Sequence, residues 1–140
     1  MQGSFLMQLI VDANILFAAI IRPGATRRIW FNNDLELYSP KFILQEFNKY
    51  REELMRKYRG SPESFNRLLD LLIERITLIH DSELAPYMPA AADLSKDAQD
   101  WLYLACALKI NAAIWTNDKA FRRQKRVKIL STESLMLELG

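Results

Sequence analysis

Short apolar runs alternate along this chain with longer stretches whose apolar residues recur every three or four positions, and that alternation admits few folds. Met7 to Val11, Leu35 to Tyr38, Ile76 to Ile79, Ala113 to Thr116 and Lys128 to Leu130 read as strands. A helix is expected from near Asn14 to just before Pro23-Gly24, and another over 25–32. Ser39-Pro40 reads as an N-cap followed by proline at the first helical position, opening a helix from Pro40 to about Lys57. That helix would turn Ile43, Glu46, Phe47 and Tyr50 to one side. Gly60-Ser61-Pro62 breaks it, and Pro62 to Arg75 supplies the next, with Phe65, Leu68, Leu69 and Leu72 inward. Residues 80–95, with Pro86 and Pro89, read as a loop holding one short helical turn. Helices then follow over 96–110, briefly after Asp118, and over 132–139, where Ser131 or Thr132 caps the last. Strands separated by helices pair in parallel through right-handed crossovers. The expectation is one α/β domain: a three-layer α/β/α sandwich on a central, mostly parallel five-stranded sheet.

Composition narrows the function classes. Half of the 140 residues are hydrophobic and 26% are charged, the balance of a globular protein. No run approaches the roughly 18 apolar residues that a membrane span requires, and Met1 to Leu6 lack the basic start of a signal peptide. A single cysteine excludes an internal disulfide and fits a reducing, cytoplasmic setting. Cys106 lies in the apolar stretch Leu102 to Leu108 and reads as core. The net charge of +2 does not by itself announce a nucleic-acid binder. Its distribution says more: Lys119, Arg122, Arg123, Lys125, Arg126 and Lys128 crowd behind Asp118, and Arg22, Arg27 and Arg28 follow Asp12. Such clusters are either solvated surface or phosphate contacts.

Four acids stand where a parallel sheet would deliver them to one edge. Asp12 ends the run Leu9-Ile10-Val11, and Asp118 follows Ala112 to Trp115. Asp100 would open a helix at that edge, with Asp97 one turn earlier, and Glu46 would lie in the second turn of another. Each has an ordinary explanation. Asp12 and Asp118 could cap the helices that follow them, Asp97 and Asp100 could complement a helix dipole, and Glu46 could be a partly exposed surface residue. Capping does not explain why they gather at the carboxyl edge, where open α/β sheets build their sites. Carboxylates packed together favour a divalent cation, and oxygen ligands suit Mg²⁺ or Mn²⁺ and phosphodiester chemistry. His80, the one histidine, reads as a strand-end residue and not as a ligand.

Four segments in order carry a family likeness: Ile10-Val11-Asp12-Ala13-Asn14, Ser39-Pro40 leading to Glu46, Lys96-Asp97-Ala98-Gln99-Asp100 with the apolar helix behind it, and Ile114-Trp115-Thr116-Asn117-Asp118-Lys119-Ala120-Phe121. Across nearly its whole length the chain resembles the PIN-domain nucleases, and among them the VapC-like toxins. The resemblance implies Asp12, Glu46 and Asp100 as core metal-binding acids and Asp118 as a fourth, more distal one. Asp97 could share the metal or hold a second ion. Asn14 and Thr116 are implied as supporting polar residues that orient ligands or water. It further implies Mg²⁺- or Mn²⁺-dependent hydrolysis of RNA, a homodimer, and a small antitoxin protein whose tail enters the acidic pocket. Arg27, Arg28, Lys119, Arg122 and Arg123 are the candidates for holding the RNA backbone. The family's first aspartate usually comes about half a dozen residues after the start, a spacing that Met7 would give, so residues 1–6 read as an extension or as a misassigned start.

Other classes fit less well. A PIN-like domain with a degenerate site would bind RNA or protein without cutting. A receiver-like phosphoacceptor domain wants an acidic pair at the first strand, and Asp12 has no acidic neighbour. A nucleotide-binding Rossmann domain wants a glycine-rich turn there, and none is present.

Overall fold

The computed structural model describes residues 6–139. Of the expected extension over residues 1–6, all but Leu6 lies outside the described residues. Five strands, β1 (Met7–Val11), β2 (Leu35–Pro40), β3 (Ile76–Ile79), β4 (Ala113–Trp115) and β5 (Ile129–Leu130), form one sheet in the order β3-β2-β1-β4-β5. Every pair is parallel, so the expected mostly parallel sheet is wholly so. Alternation along β1 supplies both faces: Leu9 and Val11 enter one core and Ile10 the other.

The first core is covered by α1 (Ala13–Ile21), α2 (Ala25–Trp30), α3 (Phe42–Lys57), α4 (Pro62–Glu74) and α8 (Thr132–Leu139). The second lies under α5 (Asp81–Leu84), α6 (Met88–Leu94) and α7 (Ala98–Ile110). The result is the expected three-layer α/β/α sandwich. α7 is deeply set, with Tyr103, Leu104, Ala105, Cys106 and Ala107 buried in succession against β1, β2 and β4. Cys106 is a core residue, and burial pushes its thiol up to about 12. No helix among the described residues is long and apolar enough to cross a membrane.

Two expectations are corrected. Ser39 and Pro40 do not start α3; they end β2, opposite Leu78 and Ile79 of β3. The Ser39 hydroxyl is fully buried and donates to the Val11 carbonyl at 3.0 Å, so it ties β2 to β1 and has no helix amide to cap. Pro40 has no N–H for the ladder, and the next amide, Lys41, donates to Ile79 O at 2.9 Å instead. α3 begins only at Phe42. Residues 80–95 are also not mainly loop. They hold α5, a 3₁₀ turn over Ala85–Tyr87, and α6, because Pro86 and Pro89 both fall in first-turn positions where the missing N–H costs nothing. His80 stands just ahead of α5, its backbone N–H donating to Glu83 Oε2 at 3.3 Å.

Candidate active site

The chain reverses its winding at β1, which has β2 on one side and β4 on the other. Such a switch point opens a crevice at the carboxyl ends of the two strands. Here it is a cavity of about 350 Å³, and Asp12, Glu46, Glu53, Asp97, Asp100 and Asp118 all line it. Among the described residues no lysine, arginine or histidine does. The structure therefore brings together every acid singled out in the sequence, plus Glu53. The last has a signal that was available: it follows Glu46 by seven residues, two helical turns along the same face of α3. Its outer oxygen is 3.6 Å from Lys57, an exposed pair.

Each acid is held by a different element. Asp12 occupies the N-cap position of α1, yet its side chain makes no cap bond there. It turns to β4, where Thr116 Oγ1 donates to Asp12 Oδ2 at 2.8 Å in a buried contact. Thr116 in turn accepts from the Asp118 amide at 3.0 Å, so one hydroxyl fixes both strand ends. Asp118 and Asp97 do behave as caps, accepting from Ala120 N at 2.9 Å and Gln99 N at 3.0 Å. Asp100, in the first turn of α7, accepts from Ser95 Oγ at 3.1 Å. Glu46 accepts from the Tyr103 hydroxyl at 3.3 Å, across from α7 to α3. Asn14 lines the cavity as well.

Ser95 and Tyr103 were not foreseen as parts of this arrangement. Tyr103 had a weak signal, one turn beyond Asp100; Ser95 had none, because its partner is fixed only when the segment before α7 folds back.

The electrostatics follow from the crowding. Burial holds the Asp12 carboxyl up at about 6, with Glu46 and Asp118 adding to it, while the Thr116 hydrogen bond pulls the other way. Asp100 is raised too, first by burial and then by Asp97, Asp118 and Glu46, against the Ser95 hydrogen bond. Burial likewise raises the Tyr103 hydroxyl, with Asp12 and Glu46 adding to it, so it remains a donor. Among the described residues no three acidic side chains form a ready metal cage as they stand. The donor set nevertheless fits a hard divalent cation: it offers oxygen ligands, lacks a basic neighbour in the lining, and includes two carboxyls raised first by burial and then by the neighbouring acids. Mg²⁺ keeps several of its waters and does not demand an all-protein cage.

Of the basic residues, Lys119, Arg122 and Arg123 lie on a 3₁₀ turn (Lys119–Arg123) that starts at Asp118, and all three are exposed. Arg27 and Arg28 are elsewhere. The Arg27 guanidinium donates to Ala19 O at 2.7 Å and Ile20 O at 3.0 Å, at the end of α1 remote from Asp12. Arg28 lines a groove with Met136 and Leu139 of α8. Neither lines the acidic cavity; Arg27 closes off a helix end.

Three solved structures share the fold. A protein from Pyrobaculum aerophilum, PAE2754, superposes with a TM-score of 0.69 at 18% identity over 98% of both chains. VapBC2 from Rickettsia felis, solved with a DNA fragment from its promoter, gives 0.66 at 18% identity over 89% of this chain and 98% of that one. VapBC-1 from nontypeable Haemophilus influenzae gives 0.65 at 18% identity over 91% and 99%. No curated protein matches the sequence significantly. The family model of the PIN domain matches residues 10–140. Since that match runs from the middle of β1 through α8 and spans every side chain around the cavity, the chain belongs to the PIN domain family.

Proposed function

We propose that the chain is a metal-dependent endoribonuclease, the toxin of a type II toxin–antitoxin pair. One observation carries this reading: a cavity with six acids in its lining and no basic side chain, at the sheet's switch point, in a PIN domain. Asp12, Glu46, Asp100 and Asp118 would hold Mg²⁺ or Mn²⁺, with Asp97 beside them. Bound there, the cation supplies an acidified water as nucleophile and a countercharge for the departing oxygen. The chain's own residues do the positioning. Thr116 orients Asp12, Tyr103 steadies Glu46, Ser95 steadies Asp100, and Asn14 offers a polar contact within the cavity. Lys119, Arg122 and Arg123 meet backbone phosphates, which gives affinity with little sequence preference.

A homodimer, a small protein antitoxin as partner and a cytoplasmic site of action belong to this same reading; among the structures that share the fold, two are of VapBC proteins. The test is cleavage of a labelled, structured RNA by purified protein in Mn²⁺, Mg²⁺ or EDTA. Metal-dependent cuts are expected, and Asp12→Asn and Asp100→Asn are expected to abolish them while RNA is still bound. Equal cutting by those variants overturns the site. A second reading, a PIN domain that binds RNA or protein without cutting, is favoured by the lack of a ready three-acid cage; it requires RNA retained uncut with every ion.

A further inference from the structure

Beside the acidic cavity, sharing Asp97 and Asp100 as a common wall, lies a larger one of about 770 Å³. Its size suits an organic ligand. The rest of its lining differs in kind from the acidic cavity. Ala92, Leu94, Trp101 and Ala120 give it apolar surface, and Lys96 and Arg123 bring two cations against one further acid, Asp93. The ion pairs among the described residues are Lys57–Glu53 and Lys128–Glu138, so Lys96 and Arg123 are both unpaired although three carboxylates line the same space. Trp101 is half-buried, and its one polar atom is spoken for: Nε1 donates to the Ser95 carbonyl at 2.8 Å. The indole is thereby fixed, and what it offers the cavity is carbon surface. An acid-lined cavity on one side, with an anchored aromatic ring and two free cations on the other, is the combination that a single nucleic-acid strand uses, with bases stacking and phosphates paired.

Resting on the ribonuclease reading, we propose that this second cavity seats one nucleotide of the RNA strand next to the bond being cut, with its base against Trp101 and its phosphate met by Arg123 and Lys96. Ser95 links this seat to the acids, since its carbonyl holds the indole while its hydroxyl holds Asp100. A base pressed against Trp101 therefore bears on the residue that positions a metal-binding acid. Stacking of this sort tolerates any base, so the seat selects a splayed, unpaired nucleotide more than a sequence.

The test uses the Asp12→Asn protein in EDTA, which separates binding from cutting, with a short single-stranded RNA. Of the three tryptophans, Trp30 and Trp115 have no exposed surface, so a change in emission on binding reports Trp101. Saturable quenching is expected. An oligomer whose central nucleotides are abasic should bind about tenfold more weakly and leave emission unchanged. Trp101→Leu should weaken binding of the intact RNA by a similar factor. Arg123→Ala, an exposed change that leaves the indole in place, should weaken binding and flatten its salt dependence while the quenching survives. The abasic comparison needs no substitution at Trp101, so it stands even if Trp101→Leu folds poorly. RNA bound with unchanged emission, and abasic RNA bound as tightly as intact RNA, would overturn the seat and leave the ribonuclease reading in place. RNA bound by neither protein, with no metal-dependent cutting by the unaltered chain, overturns both.

Discussion

Asp12 is a buried acid with no cation beside it, and that has a measurable cost. Its carboxyl is held at about 6 in the fold against 3.8 as the ordinary value, mainly by burial. The folded state therefore binds the proton more tightly than the unfolded chain. Below about pH 4 both states are protonated and nothing is lost. Between 4 and 6 the unfolded chain gives up its proton first, so stability falls as pH rises; above 6 the loss is complete. At about 1.4 kcal/mol per tenfold, it amounts to about 3 kcal/mol. In EDTA the protein should thus be less stable at pH 7 than at pH 4.5 by about 2 kcal/mol, as far as this one group decides, and Asp12→Asn should remove this part of the slope. Mg²⁺ or Mn²⁺ should restore stability at pH 7 far more than at pH 4.5, because the cation takes the ionised carboxylate. Melting scans at both pH values, with and without metal, check this; a metal effect independent of pH would separate Asp12 from the cation.

At the scale of elements, the sequence was most legible where one local signal decides. Strands β1 to β5 came from aliphatic runs, and the acids at strand ends followed from them. Misreadings occurred where a distant group outbid the local one. Ser39-Pro40 has the grammar of a helix start, but the Val11 carbonyl claims the serine and the β3 ladder claims the backbone. Arg27, a candidate phosphate contact in the sequence, donates to the last carbonyls of α1, partners that carry no side-chain signature. Tyr103 was hidden for the same reason, since it meets Glu46 only after α7 packs against α3, whereas Ser95 meets Asp100 locally through the fold-back of the segment before α7. The Arg27 assignment has a consequence. Two charge-assisted bonds to a helix C-terminus are worth about 2 kcal/mol, so Arg27→Ala should lower unfolding free energy by about that much. RNA affinity and cutting per folded molecule should not change. A selective loss of RNA binding with unchanged stability would return Arg27 to the substrate.

For the whole molecule, the charge arrangement is polarised where the net value is not. A net +2 hides a cavity whose charged lining residues are all acidic, beside an exposed basic turn. Substrate binding should therefore weaken steeply with salt. With about −0.7 in the log–log slope for each phosphate met on a single strand, Lys119, Arg122 and Arg123 together account for about −2. Replacing all three by alanine should flatten the slope by that amount; an unchanged slope would place the phosphate contacts on other residues.

The bond from Thr116 to Asp12 joins residues 104 apart in the sequence, and β4 and β5 complete the sheet from the last quarter of the chain. A nascent chain leaving the ribosome carries Asp12 and Glu46 early but cannot assemble the cavity until Thr116 and Asp118 have emerged and β4 has docked on β1. On the ribonuclease reading, this order of synthesis is a safeguard: until β4 has docked, the growing chain carries acids without the site they form.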